Sequence, residues 1–256
     1  MGILKLFFLN YLLFLLPIAL HSAKTYNVGD RVPLFVNKIG PLNNPSETYK
    51  YYELAFCRPD QVLEKKESLG EVLNGDRLAN ALYNLEFAVN KTRAVLCQQT
   101  LNKTDIAKFR ESIKNDFYYQ MYYDDLPMWA FIGKVDNESW NLDGKGPKYF
   151  LFTHVRFDAI YNRNQVIEIH AFSDPSHLVD VTEDSDVKVE FTYSILWNGT
   201  SILYKNRMDR YSRASLLPLL HQSHLFSFAN SIVILILLLG LLTVLFMRHL
   251  KNDLRK

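Results

Sequence analysis

The sequence of 256 residues has little of several features that would point to particular functions. Its formal net charge is only +2, so it lacks the strongly basic face that nucleic-acid-binding proteins present. It contains no G-x-S-x-G, no H-E-x-x-H and no glycine-rich phosphate loop. No segment repeats with a period of about 20 to 50 residues. We therefore expect no nucleic-acid partner, no small-molecule substrate, no cofactor, no metal site and no catalytic residue.

Two groups of polar residues invite a chemical interpretation, and each has a plainer one. The acidic and aromatic run at residues 122–125 could support metal binding or acid–base chemistry, but residues 124–127 are better explained as a turn at a strand end. His154, Arg156 and Asp158 alternate along one predicted strand. A solvated sheet face accounts for this alternation without catalysis.

Histidines and tyrosines leave two further alternatives open. His221 and His224 could bind a metal or titrate in an acidic lumen, but their place before an apolar run favours a membrane interface. The tyrosines are numerous enough for a surface that binds glycans or peptides, although core packing is favoured. The tyrosines concerned are Tyr51, Tyr52, Tyr118, Tyr119, Tyr122 and Tyr123.

Both ends of the chain carry an apolar run. A basic start, an apolar stretch and small residues at its end predict a signal peptide over residues 1–23. An uncleaved anchor is the alternative, which the short run disfavours. Residues 225–247 contain no charged residue and are long enough to span the roughly 30 Å hydrocarbon layer. The chain is thus expected to contact a lipid bilayer.

The charges around the second apolar run predict its orientation. Arg248, Lys251, Arg255 and Lys256 follow the run closely, whereas residues 214–247 contain no Lys or Arg. Positive charge favours the cytosolic side. We therefore predict a lumenal domain over residues 24–224, a transmembrane helix over 225–247 and a basic cytosolic tail over 248–256.

The region between the apolar runs is predicted to be rich in strands. Aromatic residues make up 14% of the chain, and they fit the half-buried surface of a sheet. Residues 187–197 alternate between apolar and polar, which is typical of a half-buried antiparallel strand, and 161–165 read as a hairpin turn. Strand-like runs cover residues 31–37, 50–56, 85–89, 117–123, 129–135, 149–161, 166–172 and 187–197.

One amphipathic helix is predicted among the strands. Asn102 or Thr104 caps its N-terminus. Its apolar stripe consists of Ile106, Phe109, Ile113 and Phe117. The predicted fold is therefore mainly β (α+β): an antiparallel β-sandwich with helical insertions, followed by one transmembrane α-helix.

The two cysteines, Cys57 and Cys97, are predicted to form a disulfide, because isolated pairs in an oxidising lumen usually do. Two buried free thiols are the alternative. Four N-x-S/T sequons predict glycosylation at Asn90, Asn102, Asn137 and Asn198, all on the predicted lumenal side. Asn102 differs from the others, since a helix N-cap could be too ordered to accept a glycan.

Several collinear blocks of the chain resemble the N-terminal part of the nonaspanins, also called the transmembrane nine superfamily or endomembrane protein 70 family. The blocks are VGDRVPLFVNKIGPLNNPSETYKYYELAFCRP (28–59), LGEVLNGDRL (69–78), Leu96-Cys97, FYYQMYYDDLPMWAFIGKV (117–135), YFLFTHVRFDAIYN (149–162), VEFTYSILW (189–197), RMDRY (207–211) and RHLKND (248–253). The resemblance implies a lumenal domain plus the first of nine membrane helices, so a truncated family member is expected.

The resemblance also implies a function. Nonaspanins are Golgi and endosomal proteins that help other membrane proteins reach their compartment, so membrane proteins are the expected clients and no enzymatic activity is expected. Two other hypotheses stay open. One is a single-pass module that binds a lumenal or extracellular ligand or mediates adhesion, and the other is a non-functional fragment.

Overall fold

The structure is a computed structural model that describes residues 24–44, 47–66, 71–72, 75–136, 146–209 and 220–253, with side chains of the last range described for 230–251. The elements of these ranges, in chain order, are β1 (Leu34–Pro41), β2 (Tyr49–Lys50), a 3₁₀ helix (Tyr51–Glu53), β3 (Ala79–Asn80), β4 (Lys91–Leu101), α1 (Lys103–Lys114), β5 (Phe117–Tyr123), β6 (Leu126–Phe131), β7 (Gly133–Asp136), β8 (Lys148–Phe152), β9 (His154–Asn162), β10 (Gln165–Ser173), β11 (Leu178–Asp180), β12 (Val187–Gly199), a second 3₁₀ helix (Tyr204–Asn206) and α2 (Leu220–Asp253).

The strands form three sheets. The first has the order β2-β1-β5-β6, with β3 also paired to β1, and the second has the order β10-β9-β12-β4. The third has the order β11-β8-β7. Pairing is antiparallel in all three, apart from β9 and β12, which run parallel in the second sheet. The antiparallel strand predicted over 187–197 therefore has one antiparallel and one parallel neighbour.

The core lies between the first two sheets and combines aliphatic side chains with a group of packed aromatic rings. Alternate residues of β12 point inward, and Phe191, Tyr193 and Trp197 are all buried. The Trp197 ring lies 6.2 Å from the ring of Tyr123 in β5, measured between centroids, so the two sheets meet directly. Phe87 fills the space beside them, 5.2 Å from Trp197. The predicted mainly β sandwich is confirmed, and the alternation along β12 is its clearest signal.

Several predicted strands have the right position. Residues 117–123 coincide with β5, and the runs at 166–172 and 187–197 lie within β10 and β12. The predicted turn at 161–165 joins β9 to β10 as a hairpin, with Arg163 at a φ of 54°. That left-handed conformation suits a tight hairpin turn.

Two predicted strands are wrong because each is divided at a residue that serves two sheets. In the run 149–161, the Thr153 N–H donates to the His177 carbonyl, while the Thr153 carbonyl accepts from the Thr192 N–H in β12. In the run 129–135, the Ile132 N–H donates to Phe117 of β5. The chain thus changes sheet at Ile132 and again at Thr153, and a hydrophobicity pattern does not record such a change.

Two further runs are not regular strands, and three strands (β3, β4 and β11) lie outside all the predicted runs. Residues 50–56 form a short strand end, a 3₁₀ helix and irregular backbone, and 85–89 contribute a single bridge at Glu86. β4, the longest of the three, has 11 residues and is mostly exposed or half-buried. Its polar residues gave no apolar alternation, because it lies at the edge of its sheet.

Helix α1 has the predicted cap. The Asn102 side chain accepts a hydrogen bond from the Asp105 N–H, and Ile106, Phe109 and Ile113 are buried. Phe117 was wrongly included in the helical stripe. The helix ends before Asp116, whose φ of 50° turns the chain so that Phe117 begins β5.

Gly133 allows α1 to approach the third sheet closely. A Cβ atom at this position would overlap the Phe150 carbonyl oxygen and lie 2.6 Å from the Ile113 side chain. We expect Gly133→Ala to lower the free energy of unfolding by about 1–3 kcal/mol through overpacking. Thermal unfolding followed by tryptophan fluorescence measures this. Gly199→Ala is the matched control, because its Cβ would meet only atoms at 3.9 Å; equal losses in both variants would contradict the prediction.

Helix α2 contains a candidate membrane span. Its segment Asn230–Lys251 has 22 residues and is apolar enough to cross a membrane. The side chains of this segment are exposed, with Leu237 at 67%. A soluble surface rarely presents so continuous an apolar face. The predicted span 225–247 lies within α2, whereas the predicted signal peptide lies outside the described residues.

Candidate binding groove

A groove of about 750 Å³ lies where the first 3₁₀ helix (Tyr51–Glu53), the irregular segment after it and α1 meet. It is lined by Ile39, Tyr49, Tyr52, Glu53, Leu54, Ala55, Phe56, Arg58, Gln99, Asp105, Lys108, Glu111, Ser112 and Phe117. Pockets of this size, with apolar walls and a few polar groups, are typical of ligand-binding sites. Its lining is mixed, with aromatic rings, three carboxylates and two cationic side chains.

The irregular wall of the groove is fixed to β4 by the two cysteines. Cys57 and Cys97 lie at disulfide-bonding distance, with Cα atoms 5.8 Å apart. Gln99 lies two residues after Cys97 on β4, and its Nε2 donates to the Ala55 carbonyl oxygen at 2.5 Å. The sequence prediction therefore paired the residues that the fold brings together, and this wall has little freedom to move.

Phe56 anchors the same wall in the core. Its ring stacks on Tyr51 at 4.7 Å between centroids and meets Phe109 of α1 edge-on at 5.2 Å. On the outer side, the Arg58 guanidinium lies 5.5 Å from the centre of the Tyr52 ring and donates to the Tyr52 carbonyl. Such a cation–π contact holds an aromatic face in place at the rim. The groove is thus preformed, which reduces the entropy lost on binding.

The tyrosines divide between the core and the cavities. Tyr51, Tyr118, Tyr119 and Tyr123 are buried, as core packing predicted. Tyr52 is half-buried and lines the groove, and burial raises its pKa to about 12. Its hydroxyl donates to the Asn80 carbonyl at 2.7 Å. A role in binding glycans or peptides at the surface therefore does not fit the four buried tyrosines.

Away from the groove, the structure contains a buried ion pair that the sequence did not predict. Arg207 is 6% exposed, and its Nη1 lies 2.8 Å from the Asp124 Oδ2. Its Nη2 also donates to the Asp124 carbonyl oxygen, and its guanidinium lies 4.2 Å from the Tyr204 ring centre. The segment that leads in sequence toward α2 is thereby tied to the β5–β6 turn. The RMDRY motif contains this arginine, but its partner lies 83 residues away.

The turn that carries Asp124 is the one predicted at 124–127. Asp124 and Asp125 have φ values of 48° and 63°, so the strand reverses at these two residues. Asp124 also accepts a hydrogen bond from the Tyr26 hydroxyl at 2.6 Å, and Asp125 pairs with Lys24 at 2.7 Å. Burial and the bond to Asp124 raise the pKa of Tyr26. The acidic run thus binds two distant segments, one at residues 24–26 and one at Arg207.

The predicted solvated face of His154, Arg156 and Asp158 is wrong at its first residue. His154 is 5% exposed, whereas Arg156 is exposed and pairs with Asp158 at 3.2 Å. The His154 ring nitrogens are hydrogen bonded to the Thr192 and Ser194 hydroxyls at 2.7 and 2.9 Å. Polar neighbours on β12 explain the burial, and a single strand's pattern cannot predict them.

Burial of His154 predicts a pH-dependent stability. Burial, followed by the charge of His177, lowers the pKa of His154 below its ordinary value of 6.5, against an opposing effect of Asp174. The unfolded chain therefore binds a proton first, and the folded domain loses stability as pH falls through 6.5 toward the lowered pKa. We expect His154→Asn to reduce the loss of thermal stability between about pH 7.5 and about pH 5.5.

Thermal unfolding in buffers of matched ionic strength measures this difference. His249→Asn removes a histidine of α2 and serves as the control, because it leaves His154 in place. An undiminished pH dependence in the His154 variant would show that another group is responsible.

Three of the four predicted glycosylation sites lie in the described residues, and all three are exposed: Asn90, Asn102 and Asn198. Asn137 lies outside the described residues, as do the side chains of His221 and His224. Within the parts of the chain that the structure describes, no group of three or more His, Cys, Asp or Glu residues could hold a metal ion. Glycosylation itself stays a prediction.

A β-rich domain with a preformed groove, together with a helix apolar enough for a bilayer, defines a membrane protein with a folded extramembrane domain. The family model described as Endomembrane protein 70 matches residues 48–256. The chain belongs to this family, and the resemblance to the transmembrane nine superfamily is confirmed.

Curated relatives extend this match. Transmembrane 9 superfamily member 5 of Arabidopsis thaliana is 54% identical over 244 residues, which are 95% of this chain and 41% of that protein. A Dictyostelium discoideum protein named putative phagocytic receptor 1b is 35% identical over 89% of this chain and 38% of its own. Transmembrane 9 superfamily member 1 of Rattus norvegicus is 34% identical over 90% and 39%. The chain thus spans about two fifths of the length of these relatives.

Proposed function

We propose that the protein acts in Golgi and endosomal membranes, where its β-rich domain faces the lumen and binds other membrane proteins that it helps to localise. The observation that carries the proposal is the family match over residues 48–256, which includes most of the domain and the candidate membrane helix. The charges after residue 247 support a cytosolic C-terminal end. The activity is binding, and no catalytic step is proposed.

The groove beside α1 is the proposed contact for a client's lumenal segment. Its rim offers aromatic faces at Tyr49 and Tyr52 and charges of both signs, including Arg58 and Lys108. Aromatic and arginine side chains contribute most to protein interfaces. The fixed wall at Cys57 means that little ordering would accompany binding.

Localisation of the full chain tests the compartment and the orientation. A fluorescent tag after residue 256 is expected to coincide with Golgi and endosomal markers and to be digested by protease in intact microsomes. An epitope tag between residues 23 and 24 is expected to resist the protease until detergent is added. A tag at residue 256 that is protected in intact microsomes would overturn the proposed orientation.

Charge reversal in the groove tests the client contact. Both Arg58 and Lys108 are exposed, so Arg58→Glu and Lys108→Glu are expected to leave the fold intact and to reduce co-purification of integral membrane proteins. Lys114→Glu is the matched control, since this exposed residue of α1 does not line the groove. Equal recovery from all three variants would contradict the groove as the client site.

A receptor or adhesion module is the second candidate function. The relative named putative phagocytic receptor 1b is the observation that favours it. Surface biotinylation separates the two candidates. A chain that is mostly labelled at the cell surface supports the second, and an unlabelled chain in endomembranes supports the first.

A further inference from the structure

β4 is a free edge of the second sheet. It pairs with β12 on one side, and the described part of the chain places no strand on its other side. Its 11 residues span roughly 35 Å at the usual rise per residue. Val95, near its middle, is 56% exposed. A long edge of this kind can pair with a strand from another molecule.

Two features of β4 already hinder its pairing with a strand of another molecule. Its register with β12 shifts at two points, which marks bulges that interrupt regular pairing. Arg93 places a charge on the exposed face and pairs there with Glu190 at 2.8 Å. Between the two register shifts, Val95 is the apolar residue that remains exposed, and its neighbours Ala94 and Leu96 are half-buried.

Two sequons stand at the two ends of this strand. Asn90 directly precedes Lys91, the first residue of β4, and Asn102 directly follows Leu101, its last. Both asparagines are exposed. Asn198 belongs to the same end as Asn90, because the Trp197 N–H donates to the Asn90 side chain at 2.7 Å.

The hydrogen bonds of the two asparagines leave the glycan-bearing atom available. The Asn90 Oδ1 accepts from Trp197, and the Asn102 Oδ1 accepts from the Asp105 N–H at 2.9 Å. For either residue, the described part of the chain offers no hydrogen-bond acceptor to Nδ2, the atom that carries an N-linked glycan. The capping role of Asn102 uses the oxygen and is therefore compatible with glycosylation.

We propose that N-linked glycans on Asn90 and Asn102 cover the free edge of β4 and prevent it from pairing with a strand of another molecule. Glycans are bulky and hydrophilic, and one at each end of the strand obstructs an approaching chain over most of its length. The inference rests on the lumenal orientation proposed above.

Removal of the two sequons tests the proposal in the full chain, expressed in eukaryotic cells and purified in detergent. Thr92→Ala and Thr104→Ala remove the sequons without changing either asparagine. Thr92→Ser and Thr104→Ser keep them and serve as controls. Each alanine variant is expected to lose one glycosidase-sensitive mobility step. The double alanine variant is expected at least to double its weight-average mass in sedimentation, and added Val95→Lys is expected to reverse this.

The outcomes separate this proposal from the one on orientation. Glycosylation of Asn198 without Asn90 and Asn102 overturns the edge cover but not the lumenal orientation, whereas four unmodified sequons overturn both. Full glycosylation with an unchanged mass for the double variant shows that the glycans do not protect the edge. If the double variant misfolds, glycosidase treatment of the folded wild-type chain is the second measurement, and an unchanged mass there has the same meaning.

Discussion

Replacement of Arg207 by alanine is expected to lower the free energy of unfolding by about 3–5 kcal/mol, the cost of removing one partner of a buried ion pair. The Asp124 side chain is 1% exposed, so water cannot replace the lost guanidinium. The Val166 carbonyl, 3.3 Å from Arg207 Nη1, would lose a donor as well. Denaturant unfolding of the full chain in detergent, followed by tryptophan fluorescence, measures the loss, since all three tryptophans lie outside α2.

Two further variants decide whether the ion pair is the cause. Lys205→Ala removes an exposed basic residue two positions away and is expected to change stability by less than about 0.5 kcal/mol. Arg207→Met combined with Asp124→Asn removes both charges and keeps a residue that tolerates the left-handed backbone of this turn, and we expect it to be more stable than Arg207→Ala. A loss below about 1 kcal/mol in Arg207→Ala would mean that the pair does not anchor the segment.

Removal of the cysteine pair is the second large effect. Cys57 and Cys97 are 40 residues apart in sequence, and loss of such a crosslink is expected to cost about 2–5 kcal/mol. The double variant Cys57→Ser, Cys97→Ser is expected to show this loss and, in addition, weaker client recovery, because the groove wall loses its attachment to β4. Unfolding with and without reductant measures the first effect on the wild-type chain.

Peptide mapping without reduction provides the control for this prediction. A disulfide-linked peptide that contains both residues is expected from the wild-type chain. Recovery of both cysteines as free thiols would remove the basis of the predicted loss. Reductant should leave the stability of the double serine variant unchanged, and a further loss there would point to an effect unrelated to these cysteines.

The sequence predicted those features that depend on neighbouring residues. Alternation along β12, the Asn102 cap and the 124–127 turn all depend on local geometry, and the structure has each of them. The pairing of Cys57 with Cys97 could be predicted because the sequence contains two cysteines.

What the sequence did not predict depends on contacts between distant segments. His154 is buried because Thr192 and Ser194 supply partners from β12. Arg207 is buried because its partner Asp124, 83 residues earlier in the sequence, lies beside it. The groove combines residues 39–58 with residues 99–117, and no local pattern links those two stretches.

The two residues where the chain changes sheet have a consequence for local opening. The Ile132 carbonyl accepts from Phe152 of β8 while its N–H is bonded to β5, and Thr153 connects the loop before β11 with β12. The third sheet therefore cannot separate from the sandwich without breaking bonds at both residues. Its amide protons should exchange with solvent as one cooperative unit with those of β5 and β12. Hydrogen exchange at the amides of α1, which packs on that sheet, would then measure the opening of the whole domain.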